Sequence, residues 1–480
     1  MSPPVFSDTL DALRSLADFA VGTVQPTVRL GVTGLSRSGK TVFTTAMVHH
    51  LLEVTPMPVF RAAAEGRIRR ARLAHQPDDD VPRFAFEDHL EALTGSERRW
   101  PGSTTQIAEL RVAIDFERAA GWIKGPSTLF VDIIDYPGEW LTDLALLDES
   151  YASWSRDTVN ASRRADRVSL AGPWHAVLAD MDPAGPASEA NAAAASEAFK
   201  AYLLALRAGP EAVATTPPGR FLMPGDLAGS PALTFAPLDL RGAAPQRDTL
   251  GGLMERRFEA YKSRVVQPFF RDHFARLDRQ IVLVDVLAAL DRGPGALAEL
   301  ETALDRVLGA FRAGRNTLTS MLFAPRIEKV LFAATKADHL HQSGHARLEA
   351  ILRVLVERAI RRTEGAGAKV GTVALASVRA TREAMVREGA LRLPAITGTP
   401  EAGEVIGGET FDGQTEAAIF PGELPERPQA VFDGAVAPGS LRFPRFRPPK
   451  LTNDPAGRSH SLPYIRLDRA LEFLLADKLA

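Results

Sequence analysis

Val28-Arg29-Leu30-Gly31-Val32-Thr33, running into Gly34-Leu35-Ser36-Arg37-Ser38-Gly39-Lys40-Thr41, is the stretch that decides the fold. The first six residues read as a hydrophobic strand. The next eight fit Gly-x-x-x-x-Gly-Lys-[Ser/Thr], and the pattern from about Lys40 to Leu52 is helical. A strand, a glycine-bearing loop and a helix form the setting in which that motif binds phosphate. Glycines let the backbone fold so that successive N–H groups point at phosphate oxygens, and the helix N-terminus adds a favourable dipole. Gly34 through Thr41 are therefore the expected cradle. Lys40 is expected to reach the β- and γ-phosphates and the Thr41 hydroxyl to bind Mg²⁺. Arg37, inside the loop, reads equally as a γ-phosphate or partner contact and as a solvated charge.

Downstream of the first helix lies a mixed segment, Glu53 to Trp100. It holds an arginine-rich stretch that reads as helical (Arg61, Arg67, Arg69, Arg70, Arg72) and a polar break at 76–80. Two strands follow. Glu109 to Phe116 alternates apolar and polar residues, as expected near a sheet edge, and Thr128 to Ile134 is a continuous apolar run typical of a buried central strand. The second runs into Asp135-Tyr136-Pro137-Gly138. An acid at the carboxyl end of a central strand is where such a protein holds Mg²⁺, and Gly138 completes an Asp-x-x-Gly element whose backbone N–H meets the γ-phosphate. Strand alternation favours Asp135 over Asp132 for the metal. Glu139, with Lys40, is the catalytic expectation. It stands where a water-orienting glutamine is common, and its charge opposes the γ-phosphate. The threonine that closes over the metal is expected between Leu52 and the 109–116 strand, at Thr104 or Thr105.

From about Glu139 to Leu277 the pattern is helical, broken by a Pro/Gly/Ala-rich loop near 209–250. A strand at Ile281 to Val286, a helix at about 295–320, a strand at Lys329 to Ala334, a helix at Leu348 to Arg361 and a strand at Thr372 to Leu375 follow. Alternating strands and helices predict a mostly parallel sheet covered on both faces. After the 329–334 strand comes Thr335-Lys336-Ala337-Asp338. An aspartate there accepts two hydrogen bonds from guanine and leaves adenine unmatched, while Lys336 lays its stem along the base. Ala376-Ser377-Val378-Arg379 ends the last strand as a further base contact. Asp285 reads as a satisfied buried acid coupled to Arg279. Arginines at 61–72, with Arg163, Arg164 and Arg167, are candidates for a cis arginine finger. Phe258, Tyr261, Phe269, Phe270 and Phe274 read as packing for the helix that leads into the 281–286 strand. Beyond Ser377 come Gly, Pro and short β-like pieces, then a helix at Leu467 to Leu479. The expected layout is an N-terminal helix (1–27, with Leu10, Leu13, Leu16 and Phe19 on one face), a nucleotide-binding unit (28–140 plus 278–378), an inserted helical domain (141–277) and a C-terminal β-rich extension (379–480).

Composition narrows the function classes. In 480 residues, 45% are hydrophobic and 24% charged, which are globular values. With 57 Lys+Arg against 59 Asp+Glu the net charge is −2, so no general field attracts nucleic acid. Cysteine is absent, which excludes disulfides, thiolate metal sites and cysteine nucleophiles and suits a reducing cytosol. The ten histidines show no metal-ligand spacing. No run reaches the roughly 20 apolar residues that span a bilayer, and the N-terminus lacks a signal-peptide layout.

With the motifs in place, the chain resembles the YcjX-like family of bacterial phosphate-loop GTPases. The resemblance is carried by 31–43 (GVTGLSRSGKTVF), 130–140 (FVDIIDYPGEW), 265–287 (VVQPFFRDHFARLDRQIVLVDVL) and 331–340 (LFAATKADHL). It implies a GTP- and GDP-binding α/β fold with a helical insertion, Mg²⁺ as cofactor and slow intrinsic hydrolysis. It also implies a cytoplasmic location, peripheral to the inner membrane, and a membrane-associated protein partner in envelope stress. Two rival readings stay open at this point. One is an ATPase on the same loop, and the other is a GTP-dependent interaction module without useful turnover.

Overall fold

The computed structural model describes residues 26–480 apart from 36, 103, 105, 120–124, 209–216, 223, 225–226, 228, 243, 310–326, 389–390, 407, 435, 438 and 452–460. For positions 139, 208, 306–309, 388 and 391 it describes the backbone alone. The helix expected at 1–27 thus lies outside the described residues.

Seven strands form the central sheet: β1 (Thr27–Gly34), β2 (Ile68–Ala74), β3 (Ala108–Glu117), β4 (Pro126–Asp135), β5 (Arg279–Val284), β6 (Lys329–Ala334) and β7 (Lys369–Ala374). Their spatial order is β2-β3-β4-β1-β5-β6-β7. From β4 to β7 every pairing is parallel, while β2-β3 and β3-β4 are antiparallel. The fold is the expected α/β one with a mostly parallel sheet. All six residues of β5 are buried, as its apolar run requires of a strand covered on both faces.

The helices α1 (Lys40–Leu52), α2 (Phe86–Thr94), α3 (Gly138–Leu144), α4 (Tyr151–Ser162), α5 (Val168–Ala179), α6 (Glu189–Ala208), α7 (Leu250–Tyr261), α8 (Gln267–Asp272), α9 (Val286–Arg292), α10 (Pro294–Gly309), α11 (Gln342–Leu355), α12 (Glu357–Gly365) and α13 (Leu467–Leu475) sort into three cores. On one face, Phe43, Met47 and Leu51 of α1 pack with Leu467, Leu471 and Leu474 of α13 against Val28, Leu30 and Val32. On the other, Leu287, Leu297, Leu348, Ile351 and Leu355 cover Val282, Val284, Val330 and Phe332. Alternate residues of β5 and β6 thus serve opposite faces, the period-2 rule of a strand. The third core lies between β4 and β5 in sequence. There, Trp154, Trp174, Phe199, Phe235 and Phe258 pack together and continue to Tyr136 and Trp140 beside the sheet. Phe258, Tyr261, Phe269 and Phe274 are buried in it as expected, with Phe270 partly buried against it.

After β7, β8 (Arg382–Glu388), β9 (Leu391–Gly398) and β12 (Ala417–Ile419) form a small antiparallel sheet in the order β12-β9-β8, with a two-residue pair β10 (Val405–Ile406) and β11 (Glu409–Thr410) alongside. The chain end returns to the main sheet. Fully buried Arg279 donates to the Leu474 carbonyl and pairs with Asp477 (2.6 Å) and Glu328 (3.0 Å), bolting α13 to β5. Among the described residues no helix is long and apolar enough to cross a membrane.

Two expectations are corrected, and a third is met as far as the described residues reach. The arginine-rich stretch is one helical turn, Arg61–Ala64, followed by the edge strand β2. Ile68 and Ala71 face inward while Arg69 and Arg72 meet Glu117 (2.7 Å) and Asp115 (2.5 Å) across the ladder. Cross-strand charge pairs stabilise that register, and charges suit an exposed sheet edge. The helix expected at 348–361 is two helices, α11 and α12, meeting at Val356. Of the helix expected at 295–320, Pro294–Gly309 is formed and the remainder lies outside the described residues.

Candidate functional site

β1 delivers the chain to the loop at Gly34, where a Cβ would stand 2.4 Å from Ser38 Oγ and 2.5 Å from the Leu283 carbonyl. Only glycine fits. Gly39, at φ 88°, takes the left-handed conformation that opens α1. No side chain caps that helix, so its first-turn amides stay available to an anion. Lys40 is buried, and its ammonium donates to the Gly34 carbonyl (3.1 Å) and towards the Leu35 carbonyl (3.4 Å), placing the charge within the loop. Ser38 Oγ is buried without a hydrogen-bond partner. The Asp-x-x-Gly element touches this loop directly. A Cβ on Gly138 would stand 2.2 Å from the Gly34 carbonyl oxygen.

β4 ends at Asp135, which lies opposite Val32 of β1 in register. Its Oδ2 accepts from the Thr104 hydroxyl (2.8 Å), and Thr104 Oγ1 lies 3.1 Å from Thr41 Oγ1. Three oxygen-bearing side chains separated by up to 94 positions thus converge. Burial pushes the Asp135 carboxyl up to about 6, with the Lys40 ammonium and the Thr104 hydrogen bond opposing. Its Oδ1 is buried and unpartnered. Asp132 is otherwise engaged, gripped by Arg111 at 2.6 and 2.9 Å. Three residues along a strand place the two acids on opposite faces. Of the two threonine candidates, Thr104 stands in this cluster; Thr105 and Ser36 lie outside the described residues, as does the Glu139 side chain.

β6 ends in Thr335, and Lys336 follows in the left-handed conformation at φ 59°. Its ammonium pairs with Asp285, which also caps α9 by accepting from Ala288 N (3.1 Å). Burial alone pushes the Asp285 carboxyl up, yet Lys336 and the Ala288 amide outweigh it and hold it below the ordinary range. The expected coupling of Asp285 to Arg279 is therefore corrected. Those residues stand at opposite ends of β5, and Arg279 is committed to Asp477 and Glu328. Asp338 is buried; its Oδ2 accepts from Ala380 N (2.8 Å), and its carbonyl accepts from the Thr381 hydroxyl.

Both ends open into one cleft of about 260 Å³, lined by Gly39, Lys40, Thr41 and Thr104 at one side and by Lys336, Asp338 and Ser377 at the other. Arg37 lines it too. None of the other arginines considered for a finger lines it, and most pair elsewhere: Arg61 with Glu472, Arg67 with Glu65, Arg69 with Glu117, Arg72 with Asp115, Arg163 with Asp239, and Arg164 and Arg167 with Glu299. Trp100, His339, Arg445 and Phe446 also line the cleft. Sequence reasoning missed all four. Trp100-Pro101-Gly102 carried a turn signal just before Thr104, but nothing in the sequence connects 445–446 to a loop more than 340 positions earlier. Among the described residues no cluster of three or more His, Asp or Glu converges as a metal site.

A sequence model of the YcjX-like family (DUF463) matches residues 28–479. A protein of Escherichia coli (strain K12) named "Ras-like GTPase YcjX" is 37% identical over 467 residues, covering 94% of this chain and 96% of that protein. A protein of the same name from Shewanella oneidensis is 33% identical over 479 residues, covering 94% of each chain.

Proposed function

The chain belongs to the YcjX-like family, and from that premise we propose that it binds a guanine nucleotide in the cleft and hydrolyses GTP to GDP and phosphate. The observation that carries the reading is the single cleft shared by the loop at 39–41, Thr104, Lys336, Asp338 and Ser377. Its relatives' name points the same way. In this reading residues 28–140 and 278–378 form the nucleotide-binding unit, 141–277 the inserted helical domain and 379–480 the extension.

Loop amides and Lys40 hold the β- and γ-phosphates, and Asp338 selects guanine by accepting from its N1–H and exocyclic amine. Thr41, Thr104 and Asp135 suit Mg²⁺, because a hard cation prefers oxygen donors and Asp135 Oδ1 lacks any other partner. When bound, the ion would neutralise charge on the β- and γ-oxygens. Water attacks the γ-phosphorus, the bond to the β–γ bridging oxygen breaks, and charge growing on the leaving GDP is met by Lys40 and the loop amides. Glu139 is the residue assigned to orient that water. Its charge accounts for slow turnover, which suits a switch on the cytoplasmic side working with a membrane-associated partner in envelope stress.

Fluorescent GDP and GTP analogues titrated into wild type and Asp338→Asn, with ATP as competitor, test the reading. Selective guanine-nucleotide binding that the substitution loosens supports it. Equal competition by ATP, unaffected by the substitution, would overturn it. A second reading, a GTP-dependent interaction module without useful turnover, draws on Glu139 standing where glutamine is common; hydrolysis seen only with a partner present would favour it.

A further inference from the structure

Just before Thr104, the chain is pinned at two points to a segment from its far end. The Trp100 indole N–H donates to the Phe446 carbonyl at 2.6 Å, and the Arg98 guanidinium donates to the Pro448 carbonyl at 3.0 Å. The accepting segment is itself held on several sides. Glu404 accepts from the Arg445 amide (3.0 Å) and guanidinium (2.8 Å), the Glu401 amide donates to the Arg445 carbonyl (2.7 Å), and the Arg447 amide donates to the Thr399 carbonyl (2.8 Å). The Phe446 ring is buried with Ile396 and Ile419, and so close to Gly398 that a Cβ there would stand 2.8 Å from it. The same ring meets His339 edge-on at 5.5 Å, one residue beyond Asp338. A small, well-anchored unit therefore touches the base end of the cleft and grips the stretch that carries Thr104.

Holding a loop threonine over Thr41 and Asp135 removes backbone freedom from every residue that leads to it. Two side-chain bonds to fixed carbonyls offset that loss. Any residue at 446 or 448 supplies a carbonyl, so the specificity of the contact resides in the donors Arg98 and Trp100. We propose that residues 445–448 are a latch on the 98–102 stretch, and that Arg98 and Trp100 are positioning residues that set how fast a bound guanine nucleotide escapes. The proposal rests on the reading of the cleft as a guanine-nucleotide site. A ligand leaves through the open form of its site, and breaking the latch raises the population of that form.

Two measurements on the full-length chain separate the latch from the nucleotide reading. The first is hydrogen exchange of the 96–107 stretch in the ligand-free protein, for wild type, Arg98→Met, Trp100→Phe and the conservative Arg98→Lys. The second is release of fluorescent GDP, chased with unlabelled GDP in Mg²⁺, for the same set and Gly398→Ala, which crowds the Phe446 ring most and the Ala380 carbonyl less. The latch predicts faster exchange in Arg98→Met and Trp100→Phe, and release accelerated about fivefold by each, the effect of one lost hydrogen bond. Arg98→Lys keeps a donor and should return release towards wild type, while Gly398→Ala should accelerate it. Unchanged exchange in both donor variants would overturn the latch whatever the nucleotide does. Acceleration by Trp100→Phe alone would overturn it as well, showing that Trp100 acts as a wall against the ligand and not through its bond to Phe446. Faster exchange in both donor variants, with no GDP bound even by wild type, would leave the latch standing and remove the nucleotide reading.

Discussion

The glycine-bearing loop at one end of the cleft is built from one short stretch of chain, whereas the base end is assembled from remote ones. Residues 34–41 form their loop from glycine conformations and the start of one helix, and Asp135 and Gly138 follow directly from one strand. At the base end, Asp338 depends on the Ala380 amide, Lys336 on Asp285 and the flank on Phe446. In the proposed reading the contrast follows from the ligand chemistry. Phosphate oxygens accept from any amide, so a backbone turn suffices. A base edge must meet one carboxylate in one orientation, and a fixed orientation needs partners from elsewhere.

Substitutions at the two ends sharpen that contrast, and the largest effect belongs to the local end. Lys40→Ala removes the one buried cation inside the loop and should weaken guanine-nucleotide affinity roughly 100-fold, as expected for lost charge-assisted bonds. Equilibrium titration with fluorescent GDP measures it, and a loss below fivefold would break the assignment of Lys40 to the phosphates. Asp338→Asn should cost about 30-fold for GDP while xanthine nucleotides gain, because the amide presents a donor where the base also donates. A uniform loss for both bases would make Asp338 a structural residue rather than a reader.

A third test uses pH. Burial holds the Asp135 proton up to about pH 6, above the ordinary 3.8. The Mg²⁺-dependent part of nucleotide affinity should be complete above pH 7 and be lost as pH falls through 6, reaching roughly a tenfold deficit at pH 5. Stability of the ligand-free chain runs the opposite way. The folded state binds this proton more tightly than the unfolded state, so the ionisation penalty grows between about pH 4 and 6 and stays constant above. Asp135→Asn removes that penalty. It should raise the melting temperature of the ligand-free chain at pH 8 and abolish the pH dependence of the Mg²⁺ effect; a melting temperature that falls at pH 8 would contradict the assignment. The smallest effect is expected at Asp285→Asn, which keeps the α9 cap but discharges the partner of Lys336. About a threefold loss of GDP affinity, the scale of a weakened ion pair, is expected from the same titration. A loss as large as that of Asp338→Asn would show that the Lys336 pairing, rather than the reading carboxylate, dominates the base end.

Much of this molecule is legible in the chain itself. The Val28–Thr41 stretch and the continuous apolar runs of β4, β5 and β6 specify a parallel sheet with a glycine-bearing turn leading into a helix, because burial on both faces and glycine conformations are local requirements. The arginine-rich segment does not show its strand period in the chain, because an edge strand that buries only Ile68 and Ala71 carries too few apolar residues to display it. Pairing of Asp285 with Lys336 instead of Arg279 followed from where two parallel strands end, a relation absent from either strand alone. Residues 98–102 and 445–448 are ordinary loop sequences, and their meeting depends on how the small β8–β9–β12 sheet sits beside the base loop. Local propensity and periodicity were enough to determine the strand, the loop and the order of the motifs. Which side chains face one another across the cleft was decided only by the packing of distant elements, because a hydrogen bond between residues hundreds of positions apart leaves no periodic trace in the chain.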